Sequence, residues 1–241
     1  MKIKHGKSFK DIFEIKQSFF SQNDEFLKRQ NYVGKVYSKQ IRRLKCKACN
    51  IKIQNKFFIS HNVKYTICKS CSHLNGLYED SDEFCDVVYN RSVGQNYADR
   101  YFAKNLKLFE SRKINIYKPK VDFLTSSLGK SVKKKTILDI GAGSGYLLSA
   151  FLDQNFKKVE AIEPSEKQVN FCKEVLVKKN QEPDLIKQIS IDDTLDYVKN
   201  TKSEIVTMIG VLEHLNYPRE MLSVIKKNHN IKYVFLSVPL F

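Results

Sequence analysis

Two sets of residues in this chain have the types and spacing that chemistry needs. The first is Thr136-Ile-Leu-Asp-Ile-Gly-Ala-Gly-Ser-Gly-Tyr146. It reads as a buried strand that breaks into a glycine-rich turn and then enters a helix over Leu147–Leu152. Gly141, Gly143 and Gly145, with Ala142 between them, leave room for a ligand to lie against bare backbone. Asp139 sits just before the turn. Glu163 lies 24 residues beyond Asp139, at the end of the apolar run Val159-Glu-Ala-Ile162. Strand, turn, helix and second acid make a nucleoside-binding βαβ unit, with Glu163 placed for ribose hydroxyls. The plainer alternative is a turn that only lets a helix pack on a sheet.

The second set is Cys46-Lys-Ala-Cys49 and Cys68-Lys-Ser-Cys71. Two short loops that each carry two thiolates can meet at one tetrahedral centre, and their separation suits a four-cysteine zinc site. So small a segment buries little surface, so the metal would supply folding energy. Four cysteines close the coordination shell, which makes the zinc structural. Lys45, Lys47 and Lys69 are expected to soften the thiolate charge. A disulfide pair and a redox dithiol are the competing readings. His61 and His73 could substitute for a cysteine but read first as bystanders, and Cys85 and Cys172 read as isolated thiols.

Charge narrows the nucleoside. A dinucleotide fingerprint wants glycine at 146, where this chain has tyrosine, and its pyrophosphate would be repelled by Asp139. S-adenosylmethionine has no phosphate and carries a sulfonium and an ammonium, so Asp139 suits it. The run Leu-Asp-Ile-Gly-Ala-Gly-Ser-Gly, followed by Ile162-Glu-Pro-Ser165, resembles the cofactor motifs of the class I S-adenosylmethionine-dependent methyltransferases. That resemblance implies cofactor contacts at Asp139, Gly141, Ala142, Gly143, Gly145 and Glu163. It also implies an adenine contact at Asp192 or Asp193, where an Asp serving as helix N-cap is the competing reading. Tyr97 and Tyr101, one helical turn apart, match an aromatic cofactor cover, or else simply pack a helix on the sheet.

Met208-Ile-Gly-Val-Leu-Glu-His-Leu215 follows the fourth strand of this region. It lacks the motifs that present a nucleobase amine or a cysteine nucleophile, and is similar to small-molecule O- and C-methyltransferases. His214 is then the candidate general base, since imidazole titrates near neutrality. Glu213 would orient it or touch the acceptor. A structural histidine at a strand-to-helix corner is the alternative.

These residues need elements to hold them. Strands are expected at Thr136–Ile140, Lys158–Ile162, about Ile186–Ile191, Ile205–Ile209 and Tyr233–Val238. Helices are expected at Tyr146–Leu152, Glu166–Val177, about Leu195–Lys199 and Arg219–Lys227. Such alternation predicts an α/β, Rossmann-like, doubly wound parallel sheet covered on both faces. Residues 1–40 read as a basic helical arm with Phe9, Ile12, Phe13, Ile15, Phe19 and Phe20 near helical spacing. Residues 41–78 form a small zinc-ribbon-like domain. Residues 79–135 form a helical linker and cofactor cover, with helices near Gln95–Lys113 and Pro119–Ser127. Residues 136–241 form the cofactor domain. The resembled fold has seven strands, so the reading expects a truncated sheet that lacks the last two. No internal repeat is visible.

The formal net charge is +16, with 29 basic and 12 acidic residues in 1–135 against 13 and 14 in 136–241. The basic front admits a nucleic-acid partner, an anionic small substrate or a merely solvated surface. No apolar run approaches ~20 residues, and Met1-Lys-Ile-Lys-His-Gly has no signal-peptide core. A cytoplasmic protein without a membrane span is expected.

The two knuckles, the tyrosine segment, the glycine motif and the Glu213–His214 pair together resemble zinc-containing nucleotide-sugar C-methyltransferases and their relatives in surface-polysaccharide clusters. This implies an enzyme that methylates a hydroxyl or activated carbon of a sugar or other small anionic metabolite. The rival readings are a zinc-ribbon RNA ribose methyltransferase and a non-catalytic cofactor-binding protein.

Overall fold

A computed structural model describes residues 21–54, 56–81, 84, 85, 88 and 106–238. The chain divides into two compact units. One comprises Ile12–Arg100 with Asn216–Arg219, and the other Tyr101–Leu215 and Glu220–Phe241 with Met1–Asp11. Among the described residues, no helix is long and apolar enough to cross a membrane.

The first unit contains helix α1 (Asn23–Tyr37) and the strands β1 (Phe58–Ser60), β2 (Val63–Ile67) and β3 (Leu74–Gly76). The strands form an antiparallel sheet in the order β1-β2-β3. The β1–β2 hairpin turns through His61 and Asn62, both at positive φ. That is the backbone a two-residue turn needs to match strand twist. Tyr37 closes α1 onto the sheet: its hydroxyl donates to the carbonyl of Tyr78 and accepts from the Tyr78 N–H. A Cβ at residue 76 would lie 2.0 Å from that hydroxyl, so Gly76 makes the contact possible. The expected arm over Phe9–Phe20 lies outside the described residues.

The second unit is a five-stranded, wholly parallel sheet. In chain order its strands are β4 (Thr136–Ile140), β5 (Lys158–Glu163), β6 (Ile186–Gln188), β7 (Ile205–Ile209) and β8 (Tyr233–Ser237). In space they run β6-β5-β4-β7-β8. The order reverses between β4 and β7, which makes their carboxyl ends the switch point where such sheets bind ligands. The helices are α2 (Leu106–Arg112), α3 (Lys118–Leu128), α4 (Tyr146–Asp153), α5 (Glu166–Lys178), α6 (Ile191–Asn200) and α7 (Pro218–Lys227).

Alternation along β4 splits the core in two. Ile137 joins Leu148, Phe151, Val169 and Leu176 in one buried cluster. Leu138 and Ile140 join Val206, Met208, Val198 and Met221 in another. Burial on both faces is why these strands are nearly all apolar. A π-helical segment, Lys113–Tyr117, separates α2 from α3. Phe109 and Tyr117 stack on Tyr146 with centroids 4.7 and 5.0 Å away, supporting the first residue of α4.

The expected strands on β4 and β7 match the structure residue for residue. The expected strand over Ile186–Ile191 does not. It stops at Gln188, and α6 begins at Ile191 rather than near Leu195. Ser190 starts that helix early, because its hydroxyl accepts the Asp193 N–H at 3.1 Å.

Candidate functional site

The glycine turn is held by β5 as well as by β4. The N–H groups of Gly141 and Ala142 both donate to the Ile162 carbonyl, at 2.9 and 3.1 Å. Gly141, Gly143 and Gly145 all have positive φ. The protein itself excludes side chains at two of them. A Cβ at 141 would come within 2.6 Å of the Val211 side chain, and one at 145 within 2.1 Å of the Cys172 sulfur. At 143 the neighbour is the far end of Gln168, at 3.0 Å. Internal packing therefore requires glycine at 141 and 145, whereas at 143 only the far end of a flexible side chain stands in the way.

Glu163 ends β5 and is buried. One carboxylate oxygen accepts the Gly143 N–H at 2.8 Å, and the other accepts the Ser165 N–H at 3.0 Å. Burial raises its pKa, and these two N–H bonds partly offset the rise. A carboxylate has about four acceptor sites, so capacity remains for two further donors, the demand of a ribose diol.

Asp139 is fully buried. One oxygen accepts the Thr207 hydroxyl at 2.6 Å. The other has no hydrogen-bond partner among the described residues. Burial, with a contribution from the Glu163 charge, pushes its pKa up to about 7, against a smaller pull downward from Thr207. Buried polar atoms are nearly always satisfied, so this oxygen suits a donor or a cation. The same two carboxylates, after burial, help push the Cys172 thiol up to about 12. Cys172 is thus a packed sulfur beneath the turn.

The far wall comes from the end of β7. Gly210, at positive φ, donates its N–H to the Ser237 carbonyl at 2.8 Å. Val211 then packs on Gly141, and Leu212–His214 form one 3-10 turn. Glu213 turns one carboxylate oxygen into a buried position without a hydrogen-bond partner among the described residues. His214 is exposed on the same turn. Asp193 is engaged by the Ser190 hydroxyl at 2.6 Å, and Asp192 is exposed beside it. The helix N-cap is Ser190, not an aspartate. Tyr97 and Tyr101 lie outside the described residues.

In the first unit, the sulfurs of Cys46, Cys49, Cys68 and Cys71 all lie within 4.8 Å of one another. The Cys46–Cys71 and Cys49–Cys68 separations are 3.6 and 3.5 Å. A tetrahedron with Zn–S near 2.3 Å has edges of about 3.8 Å, so the donor set fits zinc. The two knuckles share one backbone pattern. Cys46 N–H donates to the Ile51 carbonyl and Asn50 N–H to the Cys46 carbonyl. Cys68 N–H donates to the His73 carbonyl and Ser72 N–H to the Cys68 carbonyl. Asn50 and Ser72 share positive φ. The chain without a visible repeat thus has a repeat of conformation.

Asn75, which sequence reasoning missed, braces both knuckles. It is buried, accepts the Lys47 N–H at 2.9 Å, and donates to the His73 carbonyl and the Cys46 sulfur. Although burial acts against ionisation, N–H donors from Cys49, Asn75 and Ala48 lower the Cys46 thiol to about 7. Lys47 does not serve as the expected counter-charge alone, because its ammonium pairs with Asp80 at 2.8 Å. His61 sits in the β1–β2 turn, its ring bonded to the Ser60 hydroxyl.

A family model described as a methyltransferase domain matches residues 106–240. The mitochondrial ubiquinone biosynthesis O-methyltransferase of Candida albicans is 27% identical over 153 residues, or 56% of this chain and 46% of that protein. The chain thus spans about half the length of this curated relative. Among solved structures, magnesium protoporphyrin IX methyltransferase from Synechocystis PCC 6803 with bound SAM aligns at TM-score 0.42 and 14% identity, over 61% of this chain and 71% of that one. A SAM-dependent methyltransferase from Aquifex aeolicus aligns at TM-score 0.39 and 20% identity, over 50% and 63%.

Proposed function

Because this chain belongs to the methyltransferase domain family, we propose that it transfers a methyl group from S-adenosylmethionine to a hydroxyl or activated carbon of a sugar or other small anionic metabolite. The observation that carries the reading is the pair of buried carboxylates flanking the glycine turn. Asp139 has an orphan oxygen, and Glu163 is fixed by two backbone donors. In a low-dielectric site such a pair favours a cation and a diol, and disfavours a pyrophosphate.

Glu163 would accept from the ribose hydroxyls, and Asp139 would balance the cationic end of the cofactor. Gly141, Ala142, Gly143 and Gly145 would offer backbone, Asp192 would meet adenine, and Tyr97 would cover the site. When bound, S-adenosylmethionine supplies an electrophilic methyl on a sulfonium. The chain's own work is alignment and removal of the acceptor proton. Glu213 supports a role at the acceptor, since its unpaired oxygen is turned inward. His214 would take the proton as general base, with its ring open to solvent for release. The curated relative's name as an O-methyltransferase favours a hydroxyl acceptor. Cys46, Cys49, Cys68 and Cys71 would hold a structural zinc.

The test is transfer of isotopically labelled methyl to a panel of nucleotide-linked sugars. Label in a sugar, lost in His214→Ala with cofactor affinity intact, is the expected result. Transfer retained in His214→Ala removes the base assignment, and label that enters only RNA replaces the acceptor class.

A further inference from the structure

Between Phe26 and Tyr78 the chain has twelve lysines and arginines and neither aspartate nor glutamate. A metal held by four thiolates returns only about two negative charges. The next acids along the chain are already engaged: Glu79 pairs with Arg43, and Asp80 with Arg43 and Lys47. The stretch between Phe26 and Tyr78 is therefore strongly basic, although Asp24 and Glu25 precede it and Asp82, Glu83 and Asp86 follow it along the chain.

Tyr32, Ile41, Leu44, Ile51 and Ile67 are exposed singly, and one consecutive apolar run is exposed as well. Phe57, Phe58 and Ile59 are consecutive and 46%, 46% and 60% exposed. Consecutive residues of a strand point to opposite faces, so the run shows apolar side chains on both sides of the sheet edge and can enter an interface edge-on. Phe58 and Ile59 lie on β1, an edge strand of the three-stranded sheet, and Phe57 directly precedes it. Unguarded apolar edges invite association. This one is bracketed by cations. Lys56 precedes it, and Lys64 faces Ile59 across the ladder with its ammonium 5.2 Å from the centre of the Phe57 ring. Phe58 stacks on Tyr65 at 5.8 Å, which stiffens the ridge from behind.

A nucleic-acid strand would meet the lysines, but it has no use for an exposed β-branched aliphatic such as Ile59, because bases stack on aromatic rings. An anionic bilayer surface meets both features. Apolar side chains enter the acyl boundary, lysine stems lie along it, and ammonium groups stay with the headgroups. We propose that the cysteine-bearing unit docks on anionic membrane surfaces, with the Phe57-Phe58-Ile59 ridge entering the interface and Lys52, Lys56 and Lys64 contacting lipid phosphates. This role goes beyond methyl transfer and does not depend on it.

The experiment is co-sedimentation of the full chain with phosphatidylcholine vesicles, with and without about one third phosphatidylglycerol. Binding to the anionic vesicles only is expected, falling about tenfold as salt rises from about 0.1 to 0.5 M. The double variant Phe57→Ser/Ile59→Ser should lose about tenfold or more in binding while keeping the metal content of the parent. Lys52→Glu/Lys56→Glu, wholly on the surface, should lose a similar amount. Absence of binding to anionic vesicles, equal binding to neutral ones, or indifference to the Phe57/Ile59 change would overturn the proposal. A parallel titration with poly(uridylic acid) decides the competing partner: RNA binding tighter than vesicle binding at equal phosphate, and unaltered in the double variant, also overturns it.

Discussion

The glycine cradle and the cysteine cluster both bring acidic groups close together, and they rest on opposite foundations. At the cradle the acidic groups sit on a sheet whose core is already complete. Leu148 and Phe151 are fully buried on one face of β4, and Met208 on the other. The sheet can therefore carry an Asp139 oxygen without a hydrogen-bond partner among the described residues. In the cysteine unit the order is reversed. Three short strands bury few apolar side chains, so a metal held by the four thiols would contribute much of the stability. On the proposed reading one region carries its site on a finished core, and the other would depend on its site for stability.

Removing metal tests this contrast with the largest effect. Chelation, or Cys46→Ser, should unfold the cysteine unit, because structural zinc binding is worth about 10–16 kcal/mol in small domains. The expected signs are lost zinc by elemental analysis and lost amide protection over residues 41–80. Protection retained there without metal would break the comparison.

Asp139→Asn should act in the opposite sense. The Asp139 pKa is raised by burial, so the folded state keeps a proton that the unfolded state loses. The stability of the parent from this group is therefore full below about pH 4 and declines as pH rises towards about 7. Asparagine still accepts from Thr207 but cannot ionise. The variant should be more stable than the parent at pH 8, by up to roughly 4 kcal/mol, with no advantage near pH 4. Its affinity for S-adenosylmethionine should fall by about 10–100-fold. Thermal melts at both pH values and calorimetry check the two halves. An unstable variant at pH 8 would mean that the carboxylate supports the fold.

Asn75→Ala removes the brace between the knuckles and leaves the Lys47 N–H and the His73 carbonyl short of a partner. A loss of about 1–3 kcal/mol is expected, read as easier zinc release to a chelator. Ser190→Ala should cost about 1 kcal/mol through the lost cap of α6. A cost confined to α6 in hydrogen exchange would place it there.

The legible parts of this chain are those whose signal is local. β4 and β7 stood out because strands buried on both faces must be apolar along their whole length. The four cysteines stood out because a metal needs two pairs of close thiols. The supporting contacts were not legible, since their partners are distant in sequence. Thr207 reaches Asp139 across 68 residues, and Asn75 reaches Lys47 across 28. Val211 against Gly141 and Cys172 against Gly145 add an internal packing requirement at two of the three glycines, which no spacing carries. The residues four beyond Cys46 and Cys68 did offer a signal. Both are small polar types, as a left-handed position favours. At α6 a local signal was misread: Ser190 three residues before Asp193 is a capping pattern, and attention to the Asp192–Asp193 pair hid it.

The central claim is that the cradle binds S-adenosylmethionine through a carboxylate that its own backbone holds in place. Isothermal titration of the full chain and of Glu163→Ala with S-adenosylmethionine tests it most directly. The account predicts saturable one-site binding, weakened in the variant by about 1.5–3 kcal/mol, roughly 10–150-fold. Equal affinity in the two proteins, or no binding to either, would contradict it.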